Sequence, residues 1–200
     1  EASEVGELLV AEDASLTVLA RHAFLDERRL LSSFRLECRG APAEVGLAFL
    51  GQLSPERRVE PSPLGIYGYN DVPARTLFAE ATANSITGGL RSHNDPPLPA
   101  HGLRISQIGG PSLRPRVTAA PPWMPQESAD GEPRFYRFDG ESLVLEDAEA
   151  ATFSFVTEIS VGTYLHREFE WQSPPENPDV EAATRASRAA FLQRVGWNEP

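Results

Sequence analysis

Apolar and polar residues alternate along much of the chain with a period of two, the spacing that puts successive side chains on opposite faces of a strand. Phe34, Leu36 and Cys38 share one face while Arg35, Glu37 and Arg39 share the other, which predicts a half-buried strand. Leu16 to Leu19 and Leu103 to Ile108 read as further strands. The turn Gly40-Ala41-Pro42 leads into Val45 to Leu50, an uncharged run that predicts a strand covered on both faces. Arg75 to Ala83 reads as another, although its alanines are poor strand formers.

The clearest pattern lies beyond Arg134. Arg134 to Phe138 and Leu143 to Leu145 flank Asp139-Gly140, the signature of a tight hairpin. Phe153, Phe155, Thr157, Ile159 and Val161 then alternate up to Gly162, and Leu165, Arg167, Phe169 and Trp171 alternate after it, which predicts two long neighbouring strands. Pro174-Pro175 stops the second. Asp179 then caps a predicted helix from Val180 to Val195, with Glu181 near its start, Arg194 near its end and Gly196 beyond it. Val180, Ala183, Ser187 and Phe191 form a narrow face of mostly small residues, suited to docking against something larger.

Proline sets the spacing between these elements. Ser54 to Pro73 carries prolines around Leu64 to Asp71, read as a loop with one helical turn, and Ser92 to Met124 is crowded with prolines. Short strands joined by long proline-bearing loops favour a sandwich or barrel over a helical or doubly wound fold. The predicted organisation is an acidic N-terminal arm over residues 1–14, an all-β antiparallel domain over 15–175 and a helical tail over 176–200.

Charge narrows the function classes. The formal net charge is −11, and all 18 basic residues are arginine. A protein whose main work is coating nucleic acid gains affinity from many cations set against phosphates, so this balance argues against that role. Arginine without lysine suits planar, paired contacts at interfaces. Cys38 is the only cysteine, which excludes an intrachain disulfide and a four-cysteine zinc site. No apolar run is long enough to span a bilayer as a helix, so no membrane partner is expected.

Candidate chemistry is sparse. His93, Asp95 and His101 are the best metal-ligand grouping, but a loop gives them little of the rigidity that a metal site needs. There is no Gly-x-Ser-x-Gly elbow and no phosphate-cradling loop with its lysine, so no catalytic residue is assigned. Glu168 and Glu170 share a strand face with Tyr164 and His166 and read as a solvated or partner-facing side. Arg104, Arg114 and Arg116 lie in a region poor in acid and are the candidates for facing a phosphate backbone. The expected work of the chain is therefore binding and assembly, with no catalysis.

The order of segments resembles the shell domain of coat proteins from small plus-strand RNA viruses of the tombusvirus, sobemovirus and nodavirus kind. Val45 to Leu50 followed by Leu53-Ser54-Pro55 through Ile66 to Asp71 is similar to their buried strand, proline-rich loop and short helix. Asp139 to Leu145, followed by Val161 to Pro174, is similar to their closing strand pair and its aromatic and acidic run. The likeness covers about Leu16 to Pro174, and the acidic arm differs from the basic arm those proteins carry. The resemblance implies a jelly-roll β-sandwich with short loop helices and a C-terminal helix. It also implies a capsid protein that assembles with copies of itself into an icosahedral virion enclosing RNA, with interfacial calcium held by Asp71 or Asp139. The alternative is a carbohydrate- or protein-binding β-sandwich module.

Overall fold

The computed structural model describes residues 2–11, 13–46, 48–52, 76–91, 99–119, 135–162, 168–176 and 179–194. Their strands are β1 (Ala2–Ala11), β2 (Ala14–Phe24), β3 (Arg29–Gly40), β4 (Ala43–Val45), β5 (Ala48–Gln52), β6 (Thr76–Ala81), β7 (Ser85–Arg91) and β8 (Pro99–Gly109). Four more follow, β9 (Arg114–Thr118), β10 (Phe135–Asp139), β11 (Leu143–Leu145) and β12 (Ala150–Val161), and then helix α1 (Val180–Arg194). Seven strands form one antiparallel sheet in the order β1-β2-β3-β12-β8-β7-β6, in which two meanders flank the central β12. The β2–β3 turn is set by Asp26, whose Oδ1 accepts the backbone N–H groups of Arg28 and Arg29, both at 2.9 Å, while Oδ2 takes Arg29 Nε at 2.7 Å. Burial pushes this carboxyl upward, but the hydrogen bonds from Arg28 and Arg29 outweigh it and hold Asp26 below the usual carboxylate range.

A smaller layer closes the sandwich, with β5-β10-β9 as one sheet and β11-β4 as another. The two-residue period of β12 sends Phe153 and Phe155 into the space between the layers, where Phe49 of β5 packs 5.6 and 4.8 Å from them and Phe138 of β10 packs 5.3 Å from Phe155. Phe138, Phe153, Ile86 and Cys38 have no exposed surface and anchor the core with Leu16, Leu36, Ile105, Leu113 and Leu145. An antiparallel β-sandwich is thus the observed class, and Cys38 is a buried free thiol. The acidic segment at the start forms β1, an edge strand paired with β2 from Ala2↔His22 to Ala11↔Ala14.

Three sequence expectations are corrected. Val45 to Leu50 is split between β4, paired with β11, and β5, paired with β10. Leu50 is 41% exposed opposite Arg137, so the run is covered on one face only. Apolar composition reports how much greasy surface a run carries but not how many layers exist to cover it. Second, Asp139-Gly140 is no hairpin turn. β10 lies antiparallel to β5 and β11 antiparallel to β4, with Asp139 opposite Ala48 and Leu143 opposite Val45.

Third, the described residues after Gly162 form no strand beside β12. Both edges of β12 are occupied, by β3 and β8, and the described residues 168–175 are not in a strand. The predicted loop with its helical turn at 64–71 lies outside the described residues, as do the residues at 163–167.

The helix begins where expected. Asp179 Oδ1 accepts the N–H groups of Glu181 at 2.9 Å and Ala182 at 3.1 Å, satisfying two of the donors that a helix start leaves open. α1 lies against β2 and β3 on the sheet face away from the core, tied by an exposed Arg21–Glu181 pair at 2.6 Å. Val180, Ala183 and Ser187 are half-buried, but Phe191 is 61% exposed, so the predicted docking face is shorter than its pattern. Asp179→Ala is expected to cost about 1 kcal/mol and to fray the first turn, seen as a lower helical signal and earlier urea unfolding.

Candidate binding cleft

The short second layer leaves a cleft of about 770 Å³ at the end of the sandwich where β10 ends and β9 begins. Ala83, Pro111, Pro115 and Leu143 give it an apolar floor, together with Leu113 and Phe153, which are themselves buried. Its rim is polar and includes Thr82, Ser112, Arg114, Arg116, Asp139 and Glu141. Strand parity explains the rim. Phe138 and Val117 pack on the core, so their neighbours Arg137, Asp139 and Arg116 point to the other side.

Rigid supports hold the rim. The side chain of Gln107, itself buried, donates to the Pro111 carbonyl at 2.6 Å and accepts from Leu113 N at 3.0 Å, which fixes the loop entering β9. That loop turns at Gly110, whose φ of +92° suits a residue without a side chain, and a Cβ there would come 2.2 Å from the Thr152 carbonyl oxygen. On the opposite rim the Thr82 and Ser85 hydroxyls are hydrogen-bonded at 2.7 Å.

Asp139 sits among cations. Arg116 Nε is 3.6 Å from its Oδ2, and Arg137 Nε donates to its Oδ1. Both carboxylate oxygens are therefore turned toward guanidinium groups, which place positive charge where a calcium ion would have to sit. Among the described residues no cluster of three His, Cys, Asp or Glu side chains is arranged to hold a metal. Asp71, the other calcium candidate, lies outside the described residues, as do His93 and Asp95, while His101 is exposed on β8. Arg114 and Arg116 come together on the cleft rim, and Arg114, paired across the strands with Asp139, is exposed.

Arg104 is elsewhere. It stands on the face of the seven-stranded sheet away from the core, 2.5 Å from Glu158 Oε2, with the Arg104 side chain 18% and the Glu158 side chain 3% exposed. Glu158 Oε1 also accepts the N–H of Gln172 at 2.8 Å, and Arg104 donates to the Gln172 carbonyl. This clamp holds residues 168–173 across the sheet, where Phe169 and Trp171 lie over Gly102; a Cβ at Gly102 would come 2.9 Å from each ring. Arg104 stacks 5.2 Å from Trp171, Phe169 stacks 5.4 Å from Phe78, and Arg91 lies 4.8 Å over Phe78. Arg104 is thus committed to an internal clamp and is not grouped with Arg114 and Arg116. Glu168 and Glu170 are exposed at its margin.

Sequence reasoning passed over Glu158, because a charged residue at an outward strand position ordinarily meets water. It also passed over Thr82 and Ser112, which carry no motif and reach the cleft only through the folding of two loops.

The fold and cleft define an antiparallel β-sandwich with a charged cleft at one end. No known protein family matches the chain, and no curated protein is similar to it. Among solved structures it is similar to a mutant of the heparan sulfate lyase HepC from Pedobacter heparinus, with a TM-score of 0.39 and 10% identity over 87% of this chain. The chain spans only 23% of that protein's length. No described helix is long and apolar enough to cross a membrane.

Proposed function

We propose that this chain is a non-catalytic binding module whose end cleft takes an oligosaccharide. The observation that carries the reading is the cleft itself, an apolar floor rimmed by guanidinium, carboxylate and hydroxyl groups held on supported loops. Vicinal sugar hydroxyls match forked arginine donors and carboxylate acceptors, while the carbon faces of a sugar ring cover the floor. The net charge of −11 disfavours a highly charged polyanion, so an uncharged oligosaccharide is the ligand class.

Titration calorimetry against a panel of neutral and uronic-acid oligosaccharides tests this. Saturable binding to a neutral member is expected, weakened about tenfold, or about 1.4 kcal/mol, by Arg114→Ala. A panel without any binder, or a binder indifferent to Arg114→Ala and Arg116→Ala, overturns the reading.

A second reading, assembly of copies into a virus-type shell, is favoured by a different observation. Phe24, Ile159 and Val161 share the sheet face of Phe155 but lie past the smaller layer, 61%, 54% and 57% exposed. In a shell these residues would be covered by neighbouring subunits, and the exposed Arg114 and Arg116 would be the groups to meet RNA. Light scattering and electron microscopy near neutral pH, with and without calcium, separate the readings. Closed particles support the shell, and a strictly monomeric sugar binder excludes it.

A further inference from the structure

A second opening lies between the layers toward the other end of β10. It measures about 360 Å³ and is walled by Phe34, Phe49, Phe138, Phe155 and Ile105, with Ser32, Thr157 and Tyr136 also on its lining. Strand register explains how the hydroxyls arrive. Ser32 is the partner of Phe155 and Thr157 is two residues further along β12, so both sit on the core-facing side of the large sheet, while Tyr136 comes from the opposing layer. Ser32 Oγ is hydrogen-bonded to His22 Nδ1 at 2.9 Å, and the edge of the His22 ring meets Phe34. Tyr136 lies flat over Gly51, where a Cβ would come 2.7 Å from the phenol oxygen.

Protein interiors pack to crystal-like density, so an opening walled by aromatic rings is unusual. Mostly apolar walls with a few convergent polar groups are the composition of a small-molecule site. The hydroxyls of Tyr136 and Thr157 have no hydrogen-bond partner among the described residues. Burial pushes the Tyr136 phenol upward, so it stays protonated at neutral pH and can donate.

We propose that this interlayer opening is a binding site for a one-ring aromatic molecule carrying a single hydroxyl group, with the guest ring laid against the mutually packed rings of Phe49, Phe138 and Phe155 and the hydroxyl met by Tyr136 and Thr157. The opening is large enough for one ring. Ring edges and faces from two layers favour a flat guest, and hydroxyls rather than charges on the wall favour a neutral one. The site does not depend on the sugar reading, because it shares no lining residue with the charged cleft.

The test uses p-cresol and toluene, alike in shape but for the hydroxyl, added to the full chain and followed by ligand-observed NMR and calorimetry. Saturable one-to-one binding of p-cresol is expected, with a dissociation constant of about 1 mM or tighter for so small a guest, and weaker binding of toluene. Tyr136→Phe should weaken p-cresol about fivefold and leave toluene unchanged. Thr157→Phe should exclude both guests while a cooperative unfolding transition is retained, and Arg114→Ala should change neither. If Thr157→Phe fails to fold, Tyr136→Phe decides alone. Absence of saturable p-cresol binding overturns the proposal, as does p-cresol binding unaffected by Tyr136→Phe.

Discussion

Phe153→Ala is expected to lower the unfolding free energy by about 3–5 kcal/mol, the range found when a large buried aromatic is truncated. Phe153 has no exposed surface, packs 5.6 Å from Phe49 across the layers and forms part of the floor beneath the charged cleft. Its removal leaves a void that neither layer can fill, because β12 is held by ladders on both edges. A domain of ordinary stability has only about 5–15 kcal/mol in all, so the variant should unfold at much lower urea concentration and lose ligand affinity at the cleft. A loss below about 1 kcal/mol would mean that the interlayer contact carries little of the stability.

Glu158→Ala is expected to cost about 3 kcal/mol. Removing one partner of a buried ion pair leaves the other charge uncompensated, a penalty of about 3–5 kcal/mol, and the lower end applies because Arg104 keeps 18% of its side-chain surface in water. The substitution also removes the acceptor for Gln172 N–H, so residues 168–173 should lose their hold on the sheet. Hydrogen exchange at Gln172 should rise well above that of the β12 amides, and protease should cut near Phe169 before global unfolding. Replacing Arg104 and Glu158 together by Met and Leu should cost less than Glu158→Ala alone, since no buried charge remains unpaired. Equal costs for the double and single variants would show that the pair itself, rather than the orphaned charge, supplies the stability.

Local pattern was enough for the elements whose neighbours in space match their neighbours in sequence. Phe34, Leu36 and Cys38 against Arg35, Glu37 and Arg39 announce β3, the phenylalanines of β12 announce its core face, and Asp179 announces the helix start. The strand period and the cap are properties of the backbone within a few residues, so they are legible wherever the chain obeys them. β7, with Gly88-Gly89, and β9, with Arg114-Pro115-Arg116, lacked that local signal. They are strands because Gly88 and Gly89 pair with Leu103 and Gly102 of β8 and because Pro115 sits on an edge strand opposite Phe138.

What only the tertiary structure decided is which strands meet and which side chains they bring together. Asp139-Gly140 reads as a turn until the ladders show β10 paired with β5 and β11 paired with β4 rather than with each other. Phe169 and Trp171 read as a strand until β12 is found with both edges taken, and the same alternation then serves a segment laid across the sheet. Arg104 sits near Arg114 and Arg116 in sequence, yet the sandwich puts it on the large sheet's face away from the core and the other two on the rim of the end cleft. Each of these outcomes depends on hydrogen bonds and burial between residues far apart in the chain. A periodic pattern specifies which face of a strand is apolar, but the partner that covers that face is chosen only when the layers close.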